Sequence, residues 1–394
     1  MERKRKNKDS MGLNRDQVSA LKPEGASVEW SGNGLRVVEG RYAKCCLLAA
    51  LFGWAAVTAA AGEAALEPIL ENTHASMTVE VEASYSDQGS EEASDLALAT
   101  FELDLESRLA EGVSVYGVLL WEEDDTEPID LDEGYVVVGG AEVGTPLFLK
   151  AGKMYVPFGA FNTWLVSDPL VQELGETRES AVIAGCELEQ VTIQAGAFNG
   201  DLDDADDEDH LDDLVAAVQI TPVDGVEIGA YWISDIGESD GLQDELEDAV
   251  AGTPDRVVVG EDGRPAVEAG SPGVPYDEVD GAGGYISLAL GPAAIEAEYL
   301  TALDDFDAGL LGDKKVKPSA WNVELAYTVA EKWTLSARYE GSDDFLDFPE
   351  DQYGGAVSWS ISDNLALAVE YLHGEFAGDV DSRDLVTAQL AVTY

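Results

Sequence analysis

Basic residues are scarce in this sequence. Its 394 residues include 22 Lys and Arg against 79 Asp and Glu, with 3 His, so the formal net charge is −57. This balance argues against a nucleic-acid partner, because phosphate binding needs Lys and Arg. A chain that is nevertheless 45% hydrophobic is expected to fold with an acidic, well-solvated surface. The composition indicates a halophilic source, in which salt screens the self-repulsion.

Cysteine is almost absent, and apolar runs are short. The apolar stretch 45–60 follows the positive residues Arg41 and Lys44 and ends in small residues, which predicts a signal peptide over 41–61. An uncleaved anchor is the alternative. Residues 1–40 are interpreted as a mis-called or disordered N-terminal extension, with a genuine extension as the alternative. After cleavage Cys186 would remain alone, which excludes an intrachain disulfide and fits a bacterial envelope protein.

Most of residues 62–394 alternates between apolar and polar residues. In the stretch ASMTVEVEASYS, Met77, Val79 and Val81 fall on one face and Thr78 and Glu80 on the other. Period two predicts β-strands. Segments of about ten residues, with aromatic residues near their ends, are typical of a transmembrane β-barrel. A soluble sandwich with one dry face is the competing fold.

The spacing of the strands favours the barrel. About sixteen strands are predicted, beginning near residues 76, 94, 112, 132, 146, 178, 190, 211, 225, 282, 293, 318, 332, 353, 365 and 383. Tight connections alternate with long acidic ones, among them 86–94 and 236–281, as short periplasmic turns and long outer loops do in outer-membrane barrels. The connection 236–281 is rich in Gly, Pro and Asp and is expected to be a mobile surface excursion. The fold class is therefore all-β: a transmembrane antiparallel β-barrel that occupies residues 62–394 and is expected in the bacterial cell outer membrane.

A barrel of this size leaves an aqueous channel, which predicts a passive porin for small hydrophilic solutes. Outer-membrane lipid is the expected surrounding, and a homotrimer is expected by analogy. The predicted lumen-lining residues are Glu80, Glu82, Glu102, Asp104, Glu106, Glu296, Glu298, Glu324, Arg338 and Glu370. They would favour cations or neutral solutes, unless they only reflect the general acidity of the chain. A non-conducting structural or adhesive barrel and a soluble secreted acidic β-protein are the alternatives.

The alternation stops between residues 157 and 177, which the strand count makes the third outer loop. Pro157 and Pro169 would interrupt strand pairing. A short helix is expected over 166–174, with Ser167 or Asp168 as N-cap and Gly175 ending it. We expect this loop to narrow the barrel. The predicted constriction residues are Asp168, Glu173, Glu176, Arg178 and Glu179, with Arg178 paired to Glu176 or Glu179.

The same region carries a family resemblance. The turn Pro157-Phe158-Gly159, the triplet Asp168-Pro169-Leu170, the stretch ELGETRES (173–180) and the stretch AFNGD (197–201) resemble the outer-membrane siderophore porin family named for legiobactin uptake. The resemblance covers roughly fifty residues and implies iron uptake with a ferric siderophore as solute. Some relatives have a coiled-coil segment before the barrel that this chain lacks, and its acidic lumen suits an anionic complex poorly.

Signals for catalysis and for metal binding are weak. His74, His210 and His373 lie outside any recognisable nucleophile motif, and no G-x-S-x-G stretch is present. The acidic segments 201–213 and 342–351 miss the glycine and terminal glutamate of a calcium loop. The sequence therefore predicts no enzyme activity, no catalytic residues, no cofactor and no metal site.

Overall fold

The computed structural model describes residues 72–123, 129–202, 211, 213–252, 270–345, 348–378 and 380–394. It also describes the backbone of four short strands, 28–31, 34–37, 256–259 and 265–268. The chain divides into two compact units, Met1–Asn72 and Thr73–Tyr394. In the first, Val28–Ser31 pairs antiparallel with Gly34–Val37. The predicted signal peptide, 41–61, lies outside the described residues. No helix in the described part of the chain is long and apolar enough to cross a membrane.

Sixteen antiparallel strands of the second unit close into a barrel. In chain order they are β1 (Thr73–Gln88), β2 (Glu91–Ala110), β3 (Val113–Trp121), β4 (Asp130–Gly139), β5 (Leu147–Tyr155), β6 (Arg178–Glu187), β7 (Val191–Asn199), β8 (Asp213–Val223), β9 (Val226–Ile233), β10 (Gly281–Leu290), β11 (Ala293–Ala302), β12 (Ser319–Val329), β13 (Trp333–Asp343), β14 (Asp351–Ser362), β15 (Leu365–Glu375) and β16 (Arg383–Thr393). Each strand pairs with the next. β16 closes the ring on β1, with Val386 opposite Tyr85. The predicted sixteen-stranded barrel is confirmed. The largest shift in a strand start is three residues, at 73 against 76 and 91 against 94.

The alternation of each strand sorts its side chains between the outside and the inside of the barrel. On β12, Val323, Leu325 and Tyr327 are 40–53% exposed, whereas Asn322 and Glu324 are buried. Aromatic side chains of adjacent strands pack together; the rings of Trp333 and Trp359, for example, are stacked 5.1 Å apart. Apolar residues therefore cover the exterior and polar residues face the interior, as in barrels surrounded by lipid.

Tight turns join the strands at one end of the barrel. Gly112, Gly225 and Gly291 follow a strand and have φ values of 68°, 78° and 68°, which glycine adopts at little cost. Ala330 and Glu331 also have positive φ in the turn between β12 and β13. Residues 140–146 form a longer connection at the same end, with a 3₁₀ turn at Ala141–Val143.

The other connections are mostly long, but the first one is not. A loop was expected over 86–94. Instead, β1 extends to Gln88 and β2 begins at Glu91, so only Gly89 and Ser90 form the turn. Gly89 has φ 64°, which permits this two-residue turn. The expectation of a long first loop was wrong, because the acidic residues there continue the ladder as an extended hairpin.

Two helices fill part of the barrel interior near the long-loop end. They are α1 (Leu170–Gly175), between β5 and β6, and α2 (Asp240–Ala251), between β9 and β10. Leu174 of α1 and Leu242 and Leu246 of α2 are fully buried in one core with Tyr276. Leu242 and Leu246 share a face because they are four residues apart. Burial of each such side chain contributes about 1.5–3 kcal/mol to the free energy of unfolding.

The connection 236–281 was expected to be a mobile surface excursion. Its described parts, 236–252 and 270–281, instead contribute fully buried side chains to this core, among them Ile236 and Tyr276. Its glycines and acidic residues had masked the helical spacing of Leu242 and Leu246.

Candidate functional site

The connection between β5 and β6, residues 156–177, lies inside the barrel and is called the inner loop below. The first and last residues of this loop are adjacent, since the Val156 amide donates to the Thr177 carbonyl over 2.9 Å. Its polar partners on the barrel wall belong to β11, β12, β13 and β15. Four strands, β7 to β10, separate β6 from β11 around the ring. The loop reaches these partners by crossing the interior.

A sharp bend starts the crossing. Gly159 has φ 119° and Phe161 φ 54°, and a Cβ on Gly159 would overlap the Phe161 ring. This bend turns two consecutive amides towards the wall. Glu298 of β11 accepts both, from Ala160 over 2.8 Å and from Phe161 over 2.9 Å. Glu298 also accepts a hydrogen bond from the hydroxyl of Tyr231.

The next wall carboxylate is Glu324 of β12. It accepts the hydroxyl of Thr163 over 2.8 Å and the amide of Trp164 over 2.9 Å. The Asn162 side chain reaches Glu296 of β11 less closely, over 3.4 Å. Charge-assisted bonds of this kind are stronger than neutral ones.

Two further carboxylates hold the middle of the loop. Glu370 of β15 accepts the amide of Val166 over 2.7 Å and the hydroxyl of Ser167 over 2.6 Å. Glu340 of β13 accepts the amide of Leu170 over 2.8 Å. We call Glu296, Glu298, Glu324, Glu340 and Glu370 the wall carboxylates. Together they satisfy backbone and side-chain donors that a non-helical loop would otherwise bury unpaired.

Arg338 joins this set from β13. Its Nη1 lies 3.3 Å from Glu324 and donates to the carbonyl of Ser167 over 2.9 Å. Its Nε lies 2.9 Å from Glu340. The side chains of Arg338 and of these two carboxylates are fully buried. One guanidinium therefore balances two of the wall carboxylates and also binds the loop backbone.

The inner loop forms a shorter helix than expected. Pro169 is the N-cap of α1, and no side chain caps it, so the prediction of Ser167 or Asp168 as N-cap was wrong. Glu340 of the wall accepts the first free amide in their place. Gly175 is the last helical residue and not a left-handed cap. A Cβ there would come very close to Cδ1 of Leu300, so Gly175 packs closely against β11.

The predicted charge cluster of the inner loop has different partners. Arg178 forms its ion pair with Asp132 of β4, which corrects the expected pairing with Glu176 or Glu179. Glu176 instead accepts the side-chain amide of Gln172 over 2.9 Å. Glu179 belongs to β6, with its backbone opposite Met154.

Helix α2 packs directly on α1. The Asp240 amide donates to the Glu176 carbonyl over 2.8 Å. A Cβ on Gly241 would overlap the Glu173 carbonyl oxygen, so the two backbones touch at that glycine. Glu173 is therefore placed at the junction of the two helices, and α2 holds the end of the inner loop against the wall.

A cavity of about 720 Å³ remains between the inner loop and the wall formed by β1 to β4. Its acidic lining residues are Glu80, Glu82, Glu102, Asp104, Glu122, Asp132, Glu133, Asp168, Glu176 and Asp240. Arg178 is the one basic residue among the described residues that line it. Burial raises the pKa of Asp168, which Arg338 opposes. Burial, with the charge of Asp240, raises the pKa of Glu176 to about 7.

The structure separates the predicted lumen residues into two groups. Glu80, Glu82, Glu102 and Asp104 line the cavity. Glu296, Glu298, Glu324, Arg338 and Glu370 do not; they lie under the inner loop and bind it. Glu106 is outside both groups and accepts the hydroxyl of Tyr116 over 3.1 Å. All of them lie on the polar faces of their strands, but the second group does not form the expected exposed lining, because the inner loop covers it.

The predicted set lacks several residues of the site, among them Glu340, Asp132 and Asp240. Glu340 has the same strand parity as Arg338, two residues earlier, so the alternation already placed it inside. Asp132 lies beside an irregularity in the pairing of β3 with β4, between Val118 and Leu119. Asp240 opens a helix within a segment that was expected to be surface loop. No pattern in the sequence predicts that Asp132 or Asp240 belongs to the site.

No family model matches the chain. A UPF0422 protein of Coxiella burnetii is 24% identical over 278 residues, covering 66% of this chain and 55% of that protein. A UPF0422 protein of Legionella pneumophila (strain Lens) is 24% identical over 307 residues, covering 71% and 54%. The chain thus spans about half the length of these curated relatives. Their names do not mention legiobactin.

Among solved structures, the fold is similar to outer-membrane porins. A high-pH structure of Pseudomonas putida OprB has a TM-score of 0.55 at 10% identity, over 84% of this chain and 97% of that one. Salmonella typhi OmpF in complex with daunomycin has 0.53 at 9%, over 82% and 97%. A triple mutant of the Rhodopseudomonas blastica porin has 0.52 at 10%, over 82% and 100%. At these identities the likeness shows the fold alone: the protein has a porin-like, sixteen-stranded β-barrel fold.

Proposed function

We propose that the protein is a passive porin of the bacterial outer membrane, through which small hydrophilic solutes diffuse. The inner loop narrows the passage. One observation carries the proposal: the loop crosses the interior and is bound by wall carboxylates, yet a polar cavity remains beside it. A barrel filled only for structural reasons would not need an acidic space of this size beside the loop.

The exterior supports the membrane part of the proposal. Exposed side chains such as Leu325 and Tyr327 of β12, Val357 of β14, and Val369 and Tyr371 of β15 cover the outside of the barrel, and such a surface is costly in water and favourable in lipid. Within this proposal residues 41–61 direct export and residues 62–394 form the barrel domain. No chemical step is required of any residue, because passage follows a solute gradient.

The principal alternative is a structural or adhesive barrel that does not conduct. Purified protein inserted into planar lipid bilayers would decide between the two. Discrete conductance steps are expected. Protein that inserts, as judged by protease protection in liposomes, but gives no steps would contradict the porin and favour the alternative.

A loop variant sharpens the same recording. Glu370→Ala removes the acceptor for Val166 and Ser167 and should release the middle of the inner loop, which raises the conductance or its noise. Glu375→Ala is the matched control, since Glu375 is an exposed residue at the end of the same strand. Equal currents in the wild type and both variants would contradict the role of the loop.

The siderophore implied by the resemblance is a narrower proposal. It is tested separately, by growth on a ferric siderophore with and without the gene.

A further inference from the structure

We infer that solutes pass through the cavity between the inner loop and the wall β1–β4, and that this route selects small cations over anions. The inference rests on the proposed porin function and specifies its substrate class. It follows from how the charges inside the barrel are divided between the two walls.

The wall carboxylates, on β11, β12, β13 and β15, are bound to the inner loop and are not available to a solute. Glu298, Glu324 and Glu370 each accept two or more donors of the inner loop. They are also buried beneath it. The acidity of this side is therefore used to position the loop, and the covered wall is closed to solutes.

The two guanidinium groups nearest the loop are neutralised. Arg338 lies between Glu324 and Glu340, out of contact with solvent. Arg178 lines the cavity, but its charge is paired with Asp132. An anion entering the cavity would therefore find no unpaired cationic side chain among the described residues that line it.

The cavity has carboxylates on opposite sides. Glu80, Glu82 and Glu102 come from the wall strands β1 and β2, whereas Asp168 and Glu176 face them from the inner loop and Asp240 from α2. Carboxylates that surround a water-filled gap are how cation-selective pores are built. The protein walls around the gap concentrate the field of these charges.

This arrangement disfavours anionic solutes. A cation gains from each carboxylate it passes, and an anion loses by a similar amount, so the effects multiply in the permeability ratio. The cavity, at about 720 Å³, has the size of sites that hold small organic molecules. Inorganic cations and small amines therefore fit both its charge and its volume.

The test is a bilayer recording across a KCl gradient. Conductance alone reports the porin function, and the reversal potential reports selectivity. We expect a reversal potential that is shifted towards the equilibrium potential of K⁺. Conductance with a reversal potential at zero, or of the sign for Cl⁻, would overturn this inference and leave the porin intact. Absence of conductance would overturn the proposed function itself.

A double variant assigns the selectivity to the cavity. Glu80→Gln with Glu102→Gln should lower the K⁺-to-Cl⁻ permeability ratio by about twofold or more, since salt screens part of each charge. The control is Glu187→Gln with Glu189→Gln, which removes the same charge from exposed positions at the tight-turn end. An equal fall in both would show that general acidity is responsible.

A second measurement needs no variant. Liposomes that contain the wild-type protein should swell faster in lysine, which is cationic at neutral pH, than in glutamate, which is similar in size and anionic. Equal rates, or a faster rate in glutamate, would contradict the inference.

Discussion

The guanidinium of Arg338 lies 3.3 Å from the carboxylate of Glu324 on the neighbouring strand, with both side chains completely buried. The same guanidinium donates to the Ser167 carbonyl of the inner loop. Glu324 in turn accepts the amide of Trp164. The ion pair therefore joins two strands to two points of the loop, so wall stability and loop position are coupled.

Replacing Arg338 by Met should strongly destabilise the barrel. Glu324 and Glu340 would keep buried charges without a cation, and breaking a buried pair in this way costs about 3–5 kcal/mol. The free energy of unfolding, from urea titration in lipid vesicles, measures the loss. Arg108→Met is the control, because Arg108 pairs with Glu142 at the surface and such pairs contribute at most about 1 kcal/mol. Equal losses in the two variants would contradict the coupling.

Replacing Gly241 by Ala should separate α2 from α1. The new Cβ would overlap the Glu173 carbonyl oxygen. Overpacking of this kind costs about 1–3 kcal/mol, more than the roughly 1 kcal/mol gained by removing a helical glycine. Hydrogen exchange of the α1 amides should accelerate. Asp244→Ala, at an exposed position of the same helix, should leave exchange unchanged. Protected α1 amides in Gly241→Ala would show that α2 does not hold the inner loop.

The strands could be predicted because the barrel imposes period two on every one of them. The same alternation places Arg338 and Glu340 together on the polar face of β13. Alternation reports which face a residue takes, but not what lies over that face. Glu324 and Glu370 were therefore expected on the inner face in contact with water, whereas the inner loop buries both.

The position of the inner loop over the wall carboxylates could not be predicted from the sequence, because it depends on contacts between distant segments. Glu298 binds amides that are 137 and 138 residues away, and such backbone donors carry no sequence signature. Arg178 and Asp132 are 46 residues apart, whereas Glu176 and Glu179 were near in sequence and looked like the natural partners. Local proximity was a poor guide because β6 lies two strands from β4 in the ring.

A stability change with pH is expected from Glu238, beside α2 at the long-loop end. It accepts the amides of Asp201 over 2.9 Å and Leu202 over 2.7 Å. Burial raises its pKa to about 8, with Asp235 and Asp213 adding to the rise. A pKa raised in the folded state favours folding at low pH. This stability is complete below the ordinary value near 4.5 and is lost as pH rises through about 8.

The urea midpoint of unfolding of the wild type should therefore decrease as pH rises from about 4.5 to about 8, and that of Glu238→Gln should decrease less. Glu189→Gln, in a tight turn, should keep the wild-type dependence. Identical slopes in all three proteins would remove Glu238 as the source.

Cation selectivity should also depend on pH, through Glu176 at the end of α1. Burial raises the pKa of Glu176 to about 7, and the charges of Asp240, Asp168 and Asp132 add to the rise, whereas the hydrogen bond from Gln172 opposes it. Tyr155 and Arg178 are the other titratable neighbours that line the cavity there. Because a carboxyl group is neutral below its pKa, Glu176 adds one negative charge to the cavity as pH rises from about 6 to about 8.

The K⁺-to-Cl⁻ permeability ratio of the wild type should therefore increase between about pH 6 and pH 8, as measured by the reversal potential in a KCl gradient. Glu176→Gln should start near the ratio that the wild type has at the lower pH and should rise less steeply than the wild type. Glu189→Gln should behave like the wild type, since its position is far from the cavity lining. A ratio that falls with pH in the wild type, or that rises as steeply in Glu176→Gln, would mean that another group controls the charge of the passage.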